Sequence, residues 1–321
     1  MADPAGQILL ADIGATNARF ALLREGGDVG PVHTLAVADY PQFTDAATTF
    51  LRGQGVALAA AVLAVAGPVE NERAVMTNCP WVIDAAELRR VLGTSAVHVI
   101  NDFEATAWAL PALKPDHVVT LGAGQSVAGA PMVVLGPGTG LGLACHVPHA
   151  EAPVVLATEG GHVTLAASSA REDAVIEWLR GRFGHVSAER ALSGPGLENL
   201  YRAIAAVDGA NVPERDATAI TQTGVAGTCP VSRAALDMFA AMLGTFAGNA
   251  AVNFGARGGV FIAGGIAPRI IDYLTRSELR ERFDAKGRLR TYMQAIPLNV
   301  IVHPDYAFIG LKSLIERAGR I

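Results

Sequence analysis

The feature that constrains this chain most is one that occurs twice. Residues 7–23, QILLADIGATNARFALL, run as an apolar strand, a turn of small and polar residues and a second apolar strand. Residues 131–147, PMVVLGPGTGLGLACHV, repeat that plan. Either unit alone reads as an ordinary hairpin, with Asp and Asn as turn formers. At corresponding places in one chain they read as an internal duplication. A turn of small residues brings backbone N–H groups close to an anion with no Cβ in the way. The two turns, Gly14, Ala15, Thr16 and Asn17 in the first and Gly138, Thr139 and Gly140 in the second, are therefore expected to form a phosphate clamp. Asp12 is badly placed for a core strand but well placed to hold Mg²⁺ through water, because that ion favours one carboxylate plus waters and phosphate oxygens.

Around these units, strands alternate with helices. Residues 57–66 are a short apolar run closed by Gly67-Pro68; residues 84–93, DAAELRRVLG, read as a helix capped by Asp84; and residues 97–100 form another buried strand. Later come helical residues 171–183, the helix LENLYRAIAAV after Gly194-Pro195-Gly196, a long apolar helix at 232–256, the strand and glycine turn GGVFIAGGIAP, and a closing strand and helix. The alternation implies an α/β fold.

Half of the 321 residues are hydrophobic, enough for two domains or one large one. A net charge of −5 provides no basic field for nucleic acid or an anionic membrane surface. Residues 238–256 carry no charge and contain Gly244-x-x-x-Gly248, so they need testing as a membrane span. Asn249 and Asn253 are costly in hydrocarbon, which favours a buried helix with a small-residue face and no membrane partner. The early Asp3 and the lack of a basic leader argue against a signal peptide, so a cytoplasmic location is expected. Cys79, Cys145 and Cys229 are too scattered for a zinc site or a disulfide framework.

Three further places carry chemistry. Asn101-Asp102 ends a strand where open α/β sheets place ligands, offering an amide to orient a hydroxyl and a carboxylate to accept its proton. Asp102 could equally cap the following helix, FEATAWAL. In Glu159-Gly160-Gly161-His162 the two glycines are expected to let both polar side chains turn toward a small ligand, and no second histidine stands at zinc-protease spacing. Glu189 precedes a glycine turn and could also be a solvated helix charge. Gly264-Gly265 could let a flat ring lie on backbone, or could simply turn a strand into a helix. The Gly264-Gly265 element matches neither the Rossmann nor the Walker pattern.

LADIGATNARFAL, INDFEATAWAL, VLGPGTGLGLA, TEGGHVTLA, SAERALSGPGLENLY and VFIAGGIAPRI occur in the order and spacing of bacterial ATP-dependent glucokinases, and the chain resembles that family from about residue 8 to its end. The resemblance implies a two-domain actin-like, ribonuclease-H-like fold with a sugar and nucleotide cleft between domains. Residues 1–112 with 302–321 would form the small domain and 113–301 the large one, the last helix rejoining the first domain. It implies ATP-dependent phosphorylation of glucose at the 6-hydroxyl, Asp102 acting as general base. Asn101, Glu159, His162 and Glu189 would hold sugar hydroxyls, with Asn78 and Trp81 on a loop near the sugar. Asp12, Gly14, Ala15, Thr16, Asn17, Gly138, Thr139 and Gly140 would surround the phosphates and Mg²⁺, and Gly264 and Gly265 would lie by the adenosine. A homodimer is a further expectation of the resemblance.

One departure is visible. The family's first motif commonly reads D-x-G-G-T, and here Ala15 takes the second glycine's place, where a methyl group restricts positive φ and slightly crowds the phosphate approach but is expected to be tolerated, since Gly14 and Thr16 are kept. The repressor/ORF/kinase sugar kinases share the D-x-G-x-T opening but usually carry a cysteine-rich motif after E-x-G-H, and residues 163–180 hold no cysteine. An actin-like ATPase switch, or a kinase of another hexose or amino sugar, is the alternative. The switch would explain the turns but not Asn101, Asp102, Glu159 and His162.

Overall fold

Both strand-turn-strand units form as hairpins, and each opens a sheet of the same plan. A computed structural model describes residues 6–52, 54–76 and 79–318. The chain divides into two units: one takes the residues up to Lys114, His149–Ala157 and the segment from His303 on, and the other takes Pro115–Pro148 and Thr158–Val302.

In the first unit a five-stranded sheet runs in the order His33–Ala36, Asn17–Leu23, Gln7–Ile13, Leu58–Val65, Ala96–Asn101. The first hairpin is antiparallel, with Ile13 opposite Ala18, and the last three strands are mutually parallel. The near-continuous apolar run of Gln7–Ile13 has a simple cause, since parallel strands are covered on both faces. Leu9, Ala11 and Ile13 pack in one cluster with Phe43, Phe50 and Trp81, while Leu10 faces the other way among Trp108, Phe308, Leu311 and Leu314. The last three belong to the closing helix, Tyr306–Ala318. It lies so close to the helix Asp102–Ala109 that a Cβ on Gly310 would stand 1.8 Å from the Ala105 carbonyl oxygen. Any side chain there would push the two helices apart.

In the second unit Leu141–Val147 pairs antiparallel with Met132–Pro137, which runs parallel to Gly259–Ile262, and that strand runs parallel to Leu298–Ile301. A hairpin followed by two parallel neighbours is the plan of the first unit too, so the duplication read from the chain is a duplication of topology. The long apolar helix, Pro230–Phe254, is buried in this unit. Its Gly244 and Gly248 sit against the helix Leu279–Asp284, where a Cβ would come within 2.1 Å of the Leu279 carbonyl oxygen and 2.6 Å of that of Phe283. The small-residue spacing serves a close helix-on-helix contact.

Candidate active site

The first turn sits at the carboxyl end of its strand. The Gly14 N–H donates to the Asn17 carbonyl at 3.0 Å, and the Thr16 carbonyl accepts from Val37 N–H at 2.9 Å. These bonds close the turn and leave the N–H groups of Ala15 and Thr16 without a protein partner among the described residues. Two consecutive unpaired N–H groups make an anion-binding concavity. Outside glycine, the described residues with positive φ are Asn71 and Glu72 alone. Ala15 therefore sits in the turn without backbone strain, because its backbone does not enter the left-handed region.

Asp12 faces Arg19 across the hairpin, with 3.5 Å between Oδ2 and Nη1, and its side chain is only 20% exposed. Burial holds its carboxyl above the ordinary value of 3.8, Arg19 opposing that rise and Asp305 adding to it. Asp305 carries no sequence motif; it stands just ahead of the closing helix, and only the return of that helix to the first unit brings it to bear on Asp12. No group of three or more metal-ligating side chains is present among the described residues, and the single hard-oxygen donor Asp12 suits a hydrated Mg²⁺ completed by water and phosphate oxygens.

Asn101 and Asp102 divide the two roles that sequence left open. Asn101 is the helix cap: Oδ1 accepts from Phe103 N–H at 2.8 Å and from Glu104 N–H at 3.2 Å, while Nδ2 donates to the Gly67 carbonyl at 3.0 Å. That last bond ties the start of the helix to the end of the neighbouring strand. Asp102 is the first helical residue, with Oδ1 accepting from Phe103 N–H at 3.0 Å, so its carboxylate sits at the positive end of a helix rather than serving as its cap. Trp81 packs in the core: it is 1% exposed and its Nε1 donates to the Tyr40 carbonyl at 3.0 Å. Asn78 lies outside the described residues.

The second unit carries a turn of its own. The Gly138 N–H donates to the Gly140 carbonyl at 2.8 Å, leaving the N–H groups of Thr139 and Gly140 without a protein partner among the described residues. The two turns thus share one design, the first glycine closing the hairpin and the next two N–H groups staying available. Gly264 closes on the same turn: its φ is +83°, and a Cβ there would lie 2.4 Å from the Pro137 carbonyl oxygen. Around Gly265 the space a Cβ would take is open.

Glu159 and His162 bracket the short helical turn Gly160–His162, with 3.8 Å between Oε2 and Nε2 and both side chains largely exposed. The reason for the glycines differs from the one expected. A Cβ on Gly161 would lie 2.0 Å from the Leu141 carbonyl oxygen and one on Gly160 would lie 2.2 Å from Leu143 Cδ2. They are small so that the motif can lie flat on the strand that follows the second turn. Glu189 reaches the same strand from another segment, Oε2 accepting from Leu141 N–H at 2.9 Å. Leu141, an apolar residue that no motif search selects, is thus where the Glu159–His162 motif, Glu189 and the second turn meet.

Known proteins resemble this chain over nearly its whole length. The Glucokinase family profile matches residues 9–318. A glucokinase of Paramagnetospirillum magneticum is 47% identical over 312 residues, covering 96% of this chain and 97% of that one. A glucokinase of Citrobacter koseri is 41% identical over 304 residues, 94% of each chain. The crystal structure of a glucokinase from an Antarctic psychrotroph superposes with a TM-score of 0.87 at 37% identity, over 97% of this chain and 99% of that one. Since the match runs through both units and every motif described above, the chain belongs to the glucokinase family.

Proposed function

We propose that this protein transfers the γ-phosphoryl group of ATP to the 6-hydroxyl of glucose, giving glucose 6-phosphate and ADP. The observation that carries the reading is the division of labour at Asn101-Asp102, where one side chain caps and anchors the helix and thereby fixes the neighbouring carboxylate at its start. A carboxylate held in that way is suited to take the proton of an attacking hydroxyl, and the transferring phosphoryl group asks little more of the protein than positioning and charge stabilisation.

The unpaired N–H groups of Ala15, Thr16, Thr139 and Gly140 are assigned to the phosphates, with the side chains of Thr16 and Asn17 beside them and Gly264 and Gly265 to the adenosine. Asn101, Asn78, Glu159, His162 and Glu189 are assigned to sugar hydroxyls. Such sites reject a wrong epimer strongly, because a polar group left unpaired costs more than a good one contributes. Asp12, with Asp305 nearby, would hold Mg²⁺, which neutralises charge on the phosphate oxygens. A cytoplasmic homodimer completes the proposal on family likeness alone, and sedimentation equilibrium tests that part.

The deciding experiment is ADP production across a panel of hexoses. Glucose is expected to be strongly preferred over fructose, and Asp102→Ala is expected to lower kcat by about 10²–10⁴-fold with a smaller effect on sugar affinity. No stimulation by any sugar would favour a nucleotide switch; an Asp102→Ala enzyme with near wild-type turnover would remove the general base.

A further inference from the structure

We propose that Glu189 is a positioning residue for the second phosphate turn, over and above any contact it makes with sugar. The proposal rests on the phosphate reading of that turn. Its basis is the set of peptide planes from Gly138 to Leu141. In a trans peptide the C=O and N–H groups point in opposite directions, so holding one aims the other.

The Gly140–Leu141 peptide is held from both sides. Its carbonyl accepts from Gly138 N–H at 2.8 Å inside the turn, and its N–H, facing the opposite way, donates to Glu189 Oε2 at 2.9 Å. The Gly138–Thr139 peptide is held through its carbonyl, which accepts from Gly194 N–H at 2.8 Å, so that the Thr139 N–H is turned away from Gly194. Both grips come from one short segment, residues 189–194. Ser193 locks that segment in turn: its Oγ donates to the Glu189 carbonyl at 2.8 Å and accepts from Gly196 N–H at 2.9 Å. The two N–H groups assigned to phosphate, those of Thr139 and Gly140, lie between the grips.

The fit at the carboxylate is close. A Cβ on Gly140 would stand 2.6 Å from Glu189 Oε2, too near for both to keep their places. Glycine at 140 and glutamate at 189 are therefore a matched pair. The arrangement is also counterintuitive on charge alone, since a carboxylate beside a phosphate site repels the ligand. Fixing the Leu141 N–H gives it a reason to be there. A sugar hydroxyl bonded to the same carboxylate would then act on the nucleotide turn directly, through one side chain.

The test is calorimetric titration of Mg–ADP into the full-length protein with no sugar present, where a residue that only holds sugar has no effect. Glu189→Ala is expected to weaken ADP binding about tenfold, the loss of one charge-assisted hydrogen bond that orders the turn. Glu189→Gln keeps an acceptor for Leu141 N–H and removes the repelling charge, so it is expected to bind ADP at least as well as wild type. Gly140→Ala, which leaves Glu189 in place, is an independent route to the same defect. In the Gly140→Ala/Glu189→Ala double variant the added methyl has room, so the loss should be no greater than in the worse single variant. Circular dichroism melts establish that each protein is folded.

Equal ADP affinity in wild type and Glu189→Ala would overturn the proposal, as would full additivity in the double variant. A wild type that binds no ADP would remove the turn as a phosphate site and this role with it. Failure of the sugar-kinase reading shows separately, as absent glucose-dependent ADP formation, and leaves the ADP series fully readable.

Discussion

Removing the Asn101 side chain separates its capping role from any contact with sugar. In Asn101→Ala the helix Asp102–Ala109 loses the acceptor that serves two of its orphan N–H groups, at 2.8 and 3.2 Å. An N-cap of this kind contributes about 1 kcal/mol. The Gly67 carbonyl also loses its 3.0 Å donor, and because that residue is only half-buried, water recovers part of the loss, leaving about 1 kcal/mol. The sum is about 2 kcal/mol. At roughly 2–4 °C per kcal/mol for a domain of this size class, the melting temperature should fall by about 4–8 °C. Asn101→Asp keeps the cap, since aspartate caps as well as asparagine, and loses only the donor to Gly67. Its melting temperature should fall about half as far. Differential scanning calorimetry gives the order, and steady-state kinetics should show kcat falling further in the Ala variant, whose start of helix no longer holds Asp102 in place. If Asn101 served only a sugar hydroxyl, both variants would melt with wild type and only the KM for glucose would rise. That outcome would refute the reasoning.

Four other variants test separate steps. Asp12 is held above its ordinary pKa, so its contribution to stability is fully present below about 3.8 and is lost as pH rises through the raised value; at neutral pH the ionised carboxylate is a cost to the fold. Asp12→Asn should therefore melt at or above wild type at pH 7 while losing Mg–ATP turnover, and a lower melting temperature would contradict the sign. Gly264→Ala places a methyl group 2.4 Å from the Pro137 carbonyl at a φ of +83°; it should cost about 1–3 kcal/mol in urea melts and weaken ADP binding. Ala15→Gly relieves no strain, so ADP affinity should stay unchanged while stability falls by about 0.4–1 kcal/mol; a tighter ADP complex would mean the methyl does crowd the phosphate. Gly244→Val forces the helix Leu279–Asp284 off the long helix and should lower stability by at least about 1–3 kcal/mol, which a chemical melt reads directly.

Much of this protein was legible before any coordinates. The two strand-turn-strand units stand out because a parallel sheet demands unbroken apolar strands, and a polar interruption in one of them has to be explained. Asp102, Glu159 and His162 lie in contiguous motifs, where the local chain carries the signal. What is not legible there has a common cause, packing between distant segments. On the sequence alone Gly160 and Gly161 let both polar neighbours turn toward a ligand; in the structure their size is set by Leu141 and Leu143 on a strand to which the motif folds back. The cap is Asn101 and not Asp102; both residue types cap helices, and only the backbone path decides which stands outside the first turn. Trp81 travelled with a motif but belongs to the core.

Residue type and spacing by themselves determined the α/β class, the duplicated hairpins, the small-residue turns and the acids beside them, because these depend on local backbone chemistry and on the period of apolar residues. Tertiary structure decided which of those groups have anything left to bind with. Whether the Ala15 and Thr139 N–H groups are unpaired depends on what Asn17, Gly140 and Gly194 do with the rest of each turn. That Asp305 presses on Asp12, and that Glu189 holds Leu141, follows from segments distant in the chain being brought back by packing. Such contacts leave no periodicity in sequence; they exist only once the sheets are built.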